Sequence, residues 1–186
     1  MPVTTGAGSV SRSVRHTMRT SLLIVSPLLL IALLASAAEQ NSPTNWTTIN
    51  FGAFSFRAPP GMTNVPVRGI DSLVGRCVSS NIILTFDYGW YSGGSFKEHL
   101  DQWKHSPKFK LTDTTIDGHE AEIVSYQVSA RYYTESEGKT NVIRVQFPKV
   151  GKDSPRTSLS MTTYCQSEAD HTIAQRIFES IRFRRN

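Results

Sequence analysis

The clearest helical period in this 186-residue chain lies at its C-terminal end, behind a long series of short β-prone runs. In the stretch EADHTIAQRIFESIRF, Ile173, Ile177, Phe178 and Ile181 recur at helical spacing and form one apolar stripe. Ser167 occupies the N-cap position with Asp170 three residues on, the spacing of a capping box, and Glu168 adds negative charge at the positive end of the helix. A helix of this kind has to bury its stripe against another layer, and the preceding runs supply a sheet.

Those runs alternate and are punctuated by turn residues. WTTINFGAFSF is broken at Gly52 and stopped by Pro59, Pro60 and Gly61, the pattern of a hairpin followed by a tight turn. LVGRCVSS and NIILTFDYG are strands joined near Ser80 and Asn81. In the second of these, Ile82, Leu84, Phe86 and Tyr88 fall on one face, and Ile83, Thr85 and Asp87 on the other. Asp117-Gly118 marks a further hairpin inside FKLTDTTIDGHEAEIVSYQV. The loop ESEGKTN then leads to the strands VIRVQF and SLSMTTYCQ, which are separated by a polar turn at residues 151–155. A short helix interrupts the series at SFKEHLDQW, with Ser95 and Glu98 at capping-box spacing and Phe96, Leu100 and Trp103 on one side. Strand runs with segregated helices predict an α+β fold: a mainly antiparallel sheet with a short central helix and a C-terminal helix packed on it.

The N-terminal end has a different composition. Arg12, Arg15 and Arg19 precede the apolar run SLLIVSPLLLIALLASAA, and no acid occurs before Glu39. A charged region, an apolar core of about fourteen residues and a small-residue exit describe a secretory signal peptide. A membrane-spanning helix usually needs about 20 apolar residues, and Pro27 interrupts a shorter run here. Residues 1–37 are therefore expected to be removed after Ala35-Ser36-Ala37, leaving residues 38–186 as one exported periplasmic or extracellular domain; Met18 offers an alternative start. The whole chain carries 20 Lys and Arg against 15 Asp and Glu, and residues 1–37 hold three arginines and no acid, so the exported part has 17 against 15, or +2. That balance is not a nucleic-acid footprint. The basic cluster RFRRN at residues 182–186 leaves weak contact with an acidic surface or membrane as one reading and a solvated tail as the other. Asn45-Trp46-Thr47 matches a glycosylation acceptor.

Cys77 and Cys165 are the two cysteines, and an even count in an exported chain favours a disulfide between them. The closed loop would span most of the domain and restrict the unfolded state by about 4 to 5 kcal/mol. Neither cysteine has the flanking pattern of a redox CxxC pair or a catalytic thiol.

Three segments, FSFRAPPGM near the start of the exported part, TIDGHEAEI in the hairpin and IAQRIFESIRF at the end, resemble the PsbP-like superfamily of small exported domains. The resemblance implies an antiparallel sheet packed with helices and a noncatalytic role in assembly or accessory binding. Metal and photosystem functions of some members do not carry over, because the chain has no matching ligand motif.

Positive signals for chemistry are few. His99, His105, His119 and His171 are scattered without HExxH or Cys/His spacing, so neither a metal nor a cofactor is expected. GWYSGG departs from the G-x-S-x-G nucleophile elbow, and phosphate-cradling glycine patterns are missing. What stands out is LTFDYGWYSGG, residues 84–94, where LTFDYG continues a strand and WYSGG hands the chain to the Ser95-capped helix. Trp90 and Tyr91, with Asp87 behind them, are the candidate binding residues, and Asp71 is a weaker candidate. The favoured reading of Asp71 is a side-chain cap of its own turn, and that of Asp87 is bonding to nearby backbone donors. Two functions remain open. One is a noncatalytic accessory domain that uses this loop against a protein partner. The other is a module that stacks a small ligand or glycan on the aromatic rings. An exported hydrolase would need Asp71 and Asp87 to converge in one pocket.

Overall fold

The run IILTFDYG becomes the spine of the molecule because its two faces bury different things. The structure, a computed structural model, describes residues 45–129, 134–151 and 156–184, which belong to the unit Pro43–Asn186. The expected signal peptide lies outside the described residues. The strands are β1 (Thr47–Asn50), β2 (Phe54–Ala58), β3 (Thr63–Val65), β4 (Leu73–Val78), β5 (Ile82–Gly89), β6 (Lys110–Ile116), β7 (His119–Gln127), β8 (Asn141–Phe147), β9 (Ser158–Cys165) and β10 (Arg182–Phe183). One α-helix, α1 (Glu168–Glu179), and a 3-10 helix (Phe96–Gln102) accompany them, with a single 3-10 turn at Thr134–Ser136. Among the described residues, no helix is long and apolar enough to cross a membrane.

Two antiparallel sheets form rather than one. The large sheet has the order β3-β4-β5-β9-β8-β7-β6, and the small one β1-β2-β10. The first hairpin is present as expected, but it belongs to the small sheet, where the two-residue strand β10 joins β2 through Arg182↔Ser55 and Phe183↔Phe54. Both β3 and β10 are too short to show an alternation in sequence. The basic C-terminal cluster is thus partly structural: Arg182 donates to the Glu179 and Ile181 carbonyls, and Phe183 N–H donates to Asp117 Oδ2 at 2.8 Å.

The small sheet and α1 cover one face of the large sheet. Phe54, Phe56, Leu84, Met161, Phe147, Ile177, Phe178 and Ile181 share this core. The Phe54 ring meets Phe86 edge-on at 5.0 Å, and Phe147 meets Phe183 at 5.1 Å. Helix α1 starts as its sequence predicts, with Ser167 N–H and Oγ both donating to Asp170 Oδ2 at 2.8 and 2.7 Å.

The opposite face carries a second core of Ile83, Val124, Tyr126, Val142 and Tyr164, covered by Phe96 of the 3-10 helix and by Trp103, its C-cap residue. The sheet's central strands β8 and β9 are therefore buried on both sides, which is why VIRVQF reads as a nearly continuous apolar run. Trp103 packs on Tyr126 at 5.0 Å and lies under the Arg144 guanidinium, a packing role as expected.

Two expectations need correction. The SFKEHLDQW segment is a 3-10 helix kinked at His99, and Glu98 does not close a capping box. The acid that serves its start comes from β7: Glu122 accepts from Ser95 Oγ at 2.5 Å and from Phe96 N–H at 2.6 Å. Cys77 and Cys165 are not bonded to each other; both are buried free thiols. Cys77 pairs with Leu84, Leu84 with Thr163 and Cys165 with Ile82, so all of β5 lies between the two cysteines. Two strand spacings of about 4.8 Å exceed the Cα separation of about 7 Å beyond which a disulfide cannot close.

Candidate functional site

The end of the sheet where β4 begins and β5 finishes is built by two loops, residues 66–72 and 90–95. Leu73 pairs with Tyr88 in the last register position, and the loops continue beyond it side by side. They touch: a Cβ placed on Gly89 would lie 2.9 Å from Ser72 Cβ. On the outer side of β4 the partner strand β3 reaches only from Val78 to Arg76, so the β4 stretch from Leu73 to Gly75 has a strand neighbour on the β5 side alone.

Buried serines hold the second loop in place. Ser92 Oγ lies within hydrogen-bond reach of the Gly89 carbonyl at 2.9 Å, the Ser158 carbonyl at 2.8 Å and the Ser158 hydroxyl at 2.6 Å, one of which takes its single proton. Gln146 Nε2 donates to the Gly93 carbonyl at 3.4 Å. The loop base is therefore fixed to β9 and β8, while its tip projects outward. Trp90 is 61% exposed and Tyr91 78% exposed. On the first loop Ile70 is 104% exposed, and Val67 and, at the start of β4, Leu73 are also exposed. Every exposed large apolar side chain among the described residues is in this group of five. The Trp90 and Tyr91 signal is visible in sequence; the contribution of Val67, Ile70 and Leu73 is not, because VRGIDSL has no periodicity and reads as a plain turn.

Asp87 does not stand with Trp90 at the surface. It lies on the opposite face of β5 from Tyr88, directly across from Val74 and Ser160. Its Oδ1 is buried and has no hydrogen-bond partner, so the bond to a backbone donor expected from sequence is not made at that atom. Asp71 is exposed in the first loop. Neither carboxylate lines the cavity of about 250 Å³ beside β4, bounded by Val67, Val74, Arg76, Thr85 and Glu135. Nor does either line the larger one of about 460 Å³ over β6 and β7, where Lys97, Asp113, Glu120 and Glu122 gather. In that larger cavity two of the three carboxylates are already engaged: Lys97 Nζ bridges to Asp113 at 2.7 Å, and Glu122 holds the start of the 3-10 helix.

No cluster of three metal-ligating side chains occurs among the described residues. His99 and His105 are exposed, His119 packs edge-on against Phe183 at 4.7 Å, and burial pushes the half-buried His171 below the usual imidazole range. The thiols are poor nucleophiles. Burial pushes Cys77 up to about 11, and burial followed by the nearby Asp170 charge pushes Cys165 up to about 12.

No family model and no curated protein sequence matches the chain. Among solved structures it is similar to the crystal structure of LpqN, involved in cell envelope biogenesis of Mycobacterium tuberculosis, at 14% identity, over 73% of this chain and 88% of that one. The TM-score is 0.36, a likeness too loose to carry any argument about what this chain does.

Proposed function

We propose that the chain is an exported, noncatalytic accessory domain of the PsbP-like type that engages a protein partner through the apolar end of its large sheet. The observation that carries this reading is that the exposed large apolar side chains of the described residues fall at one end of the sheet: Ile70 on the first loop, Leu73 at the start of β4, and Trp90 and Tyr91 on the adjoining second loop, with Val67 nearby over the cavity beside β4. Scattered exposed apolar residues are ordinary, whereas a contiguous group marks a contact surface. Trp and Tyr are also the side chains that most often anchor protein interfaces. Export is supported by the arginines, the apolar run and the small-residue exit of residues 1–37. The three segments that carry the PsbP-like resemblance are all structural: FSFRA is β2, TIDGHEAEI is the β6–β7 turn, and IAQRIFE ends α1.

The test is a Trp90→Ala, Tyr91→Ala double variant, compared with the parent in cross-linking and co-purification, with the recovered partner then purified and rebound. Loss of the partner at an unchanged thermal transition is the expected result; full recovery of the partner would refute the surface. The glycan reading keeps its exposed rings, while of the half-exposed Asp87 one oxygen, Oδ1, is buried without a hydrogen-bond partner. A saturable change of intrinsic fluorescence with one member of a glycan panel would favour it over the protein partner.

A further inference from the structure

We infer that the partner at the apolar end is a second copy of this chain, docked about a two-fold axis; this rests on reading that end as a protein-interaction surface. An isologous interface demands that one patch complement itself, residue i meeting j while j meets i. The tip of the first loop has the charge layout for that. Arg68 and Asp71 flank Ile70, both are exposed, and neither takes part in an ion pair among the described residues. With one base and one acid on either side of its most exposed apolar residue, the loop can form the same Arg68–Asp71 contact twice across a symmetry axis.

The same layout suits other occupants poorly. A nucleic acid or an anionic bilayer would meet Asp71 beside the inserting Ile70, with only Arg68 to offset it. Area points the same way. Ile70, Leu73, Trp90 and Tyr91, exposed to these extents, offer on the order of 600 Å² per copy, so a symmetric pair would bury about 1,200 Å², the lower bound of a specific interface. The unpaired outer edge of β4 from Leu73 to Gly75 lies beside the patch, so no strand of the described chain covers it from that side.

Sedimentation of the exported protein between micromolar and millimolar concentration reads the proposal directly. A monomer–dimer equilibrium is expected. Ile70→Asp should abolish it without moving the thermal transition, because the side chain has no packing to lose. Arg68→Asp and Asp71→Arg should each weaken dimerisation by about tenfold or more through like-charge contacts, and the double reversal should return it to within about threefold of the parent. A monomer at every concentration, a dimer indifferent to Ile70→Asp, or a double reversal that fails to restore pairing would each overturn the inference. If the monomer still loses a different protein on Trp90→Ala, Tyr91→Ala substitution, the interaction surface stands and the second copy falls. Binding to phosphatidylcholine vesicles with no protein partner at all would overturn both.

Discussion

The two cysteines show how a single side chain's chemistry follows from its layer. Each sits on the face that α1 and the small sheet cover, where desolvation disfavours the thiolate. In the unfolded chain both thiols ionise near their ordinary value of 9.0; folded, they do so only near 11 and 12. Their contribution to stability is therefore complete below about pH 9 and is lost as the pH rises towards those folded values. The drop in urea midpoint between pH 8 and pH 10 is expected to be larger in the parent than in a Cys77→Ala, Cys165→Ala variant. A thiol reagent under native conditions should label neither cysteine until the protein opens, and non-reducing mass analysis should find two free thiols. Glu122 carries a different load. It is a buried carboxylate whose two oxygens take the first hydroxyl and first amide of the 3-10 helix. Truncating it to Ala leaves those donors without their charged acceptor and is expected to cost about 2 to 3 kcal/mol in chemical denaturation. Gly75 is constrained by contact: a Cβ there would lie 2.1 Å from the Phe86 ring. Gly75→Ala should therefore destabilise by about 1 to 3 kcal/mol, the usual cost of overpacking.

Elements whose ends are written in local chemistry are legible in the sequence. Helix α1 is one, since the Ser167–Asp170 box and the stripe of Ile177, Phe178 and Ile181 are all within one segment. The β6–β7 hairpin is another. Asp117 and Gly118 take φ of 50° and 80°, the two positive values that a two-residue I′ turn requires, and Ile116 pairs with His119 across it. Asp117 also ties the hairpin to β10 through the Phe183 amide. Asp117→Ala should lose both the turn preference and that bond, at about 1 to 2 kcal/mol, with amide exchange of Phe183 as the specific readout. The 3-10 helix is less legible. Its Ser95-x-x-Glu98 spacing fits a capping box, yet the competing acceptor arrives from β7, 27 residues further on, and a nearby cross-strand carboxylate is invisible to local spacing. Strands β3 and β10 escape for the same reason: three and two residues adopt extended geometry because a partner edge is there to receive them.

In the assembled domain, α1 with the small sheet on one face and the 3-10 helix on the other make a three-layer arrangement that leaves one end of the large sheet apolar and open. Because Trp90 and Tyr91 project from a loop whose base is fixed by Ser92 and Ser158, substituting the rings should leave stability within about 0.5 kcal/mol, whereas Ser92→Ala should loosen the loop and cost more. The α+β class, most strands, the two tight hairpins, the terminal helix and the Trp90 and Tyr91 loop can all be read from the chain alone. Each of these rests on residues within a few positions of one another, where periodicity and turn chemistry act. It takes the folded arrangement to establish that β5 separates the cysteines, that Asp87 takes the face of β5 opposite Tyr88 with one oxygen buried, and that VRGIDSL packs its Ser72 against Gly89 at the base of the Trp90 and Tyr91 loop while leaving Ile70 and Leu73 exposed. Those outcomes depend on strand order and on which face each side chain takes, and both are set by long-range pairing that no local pattern records.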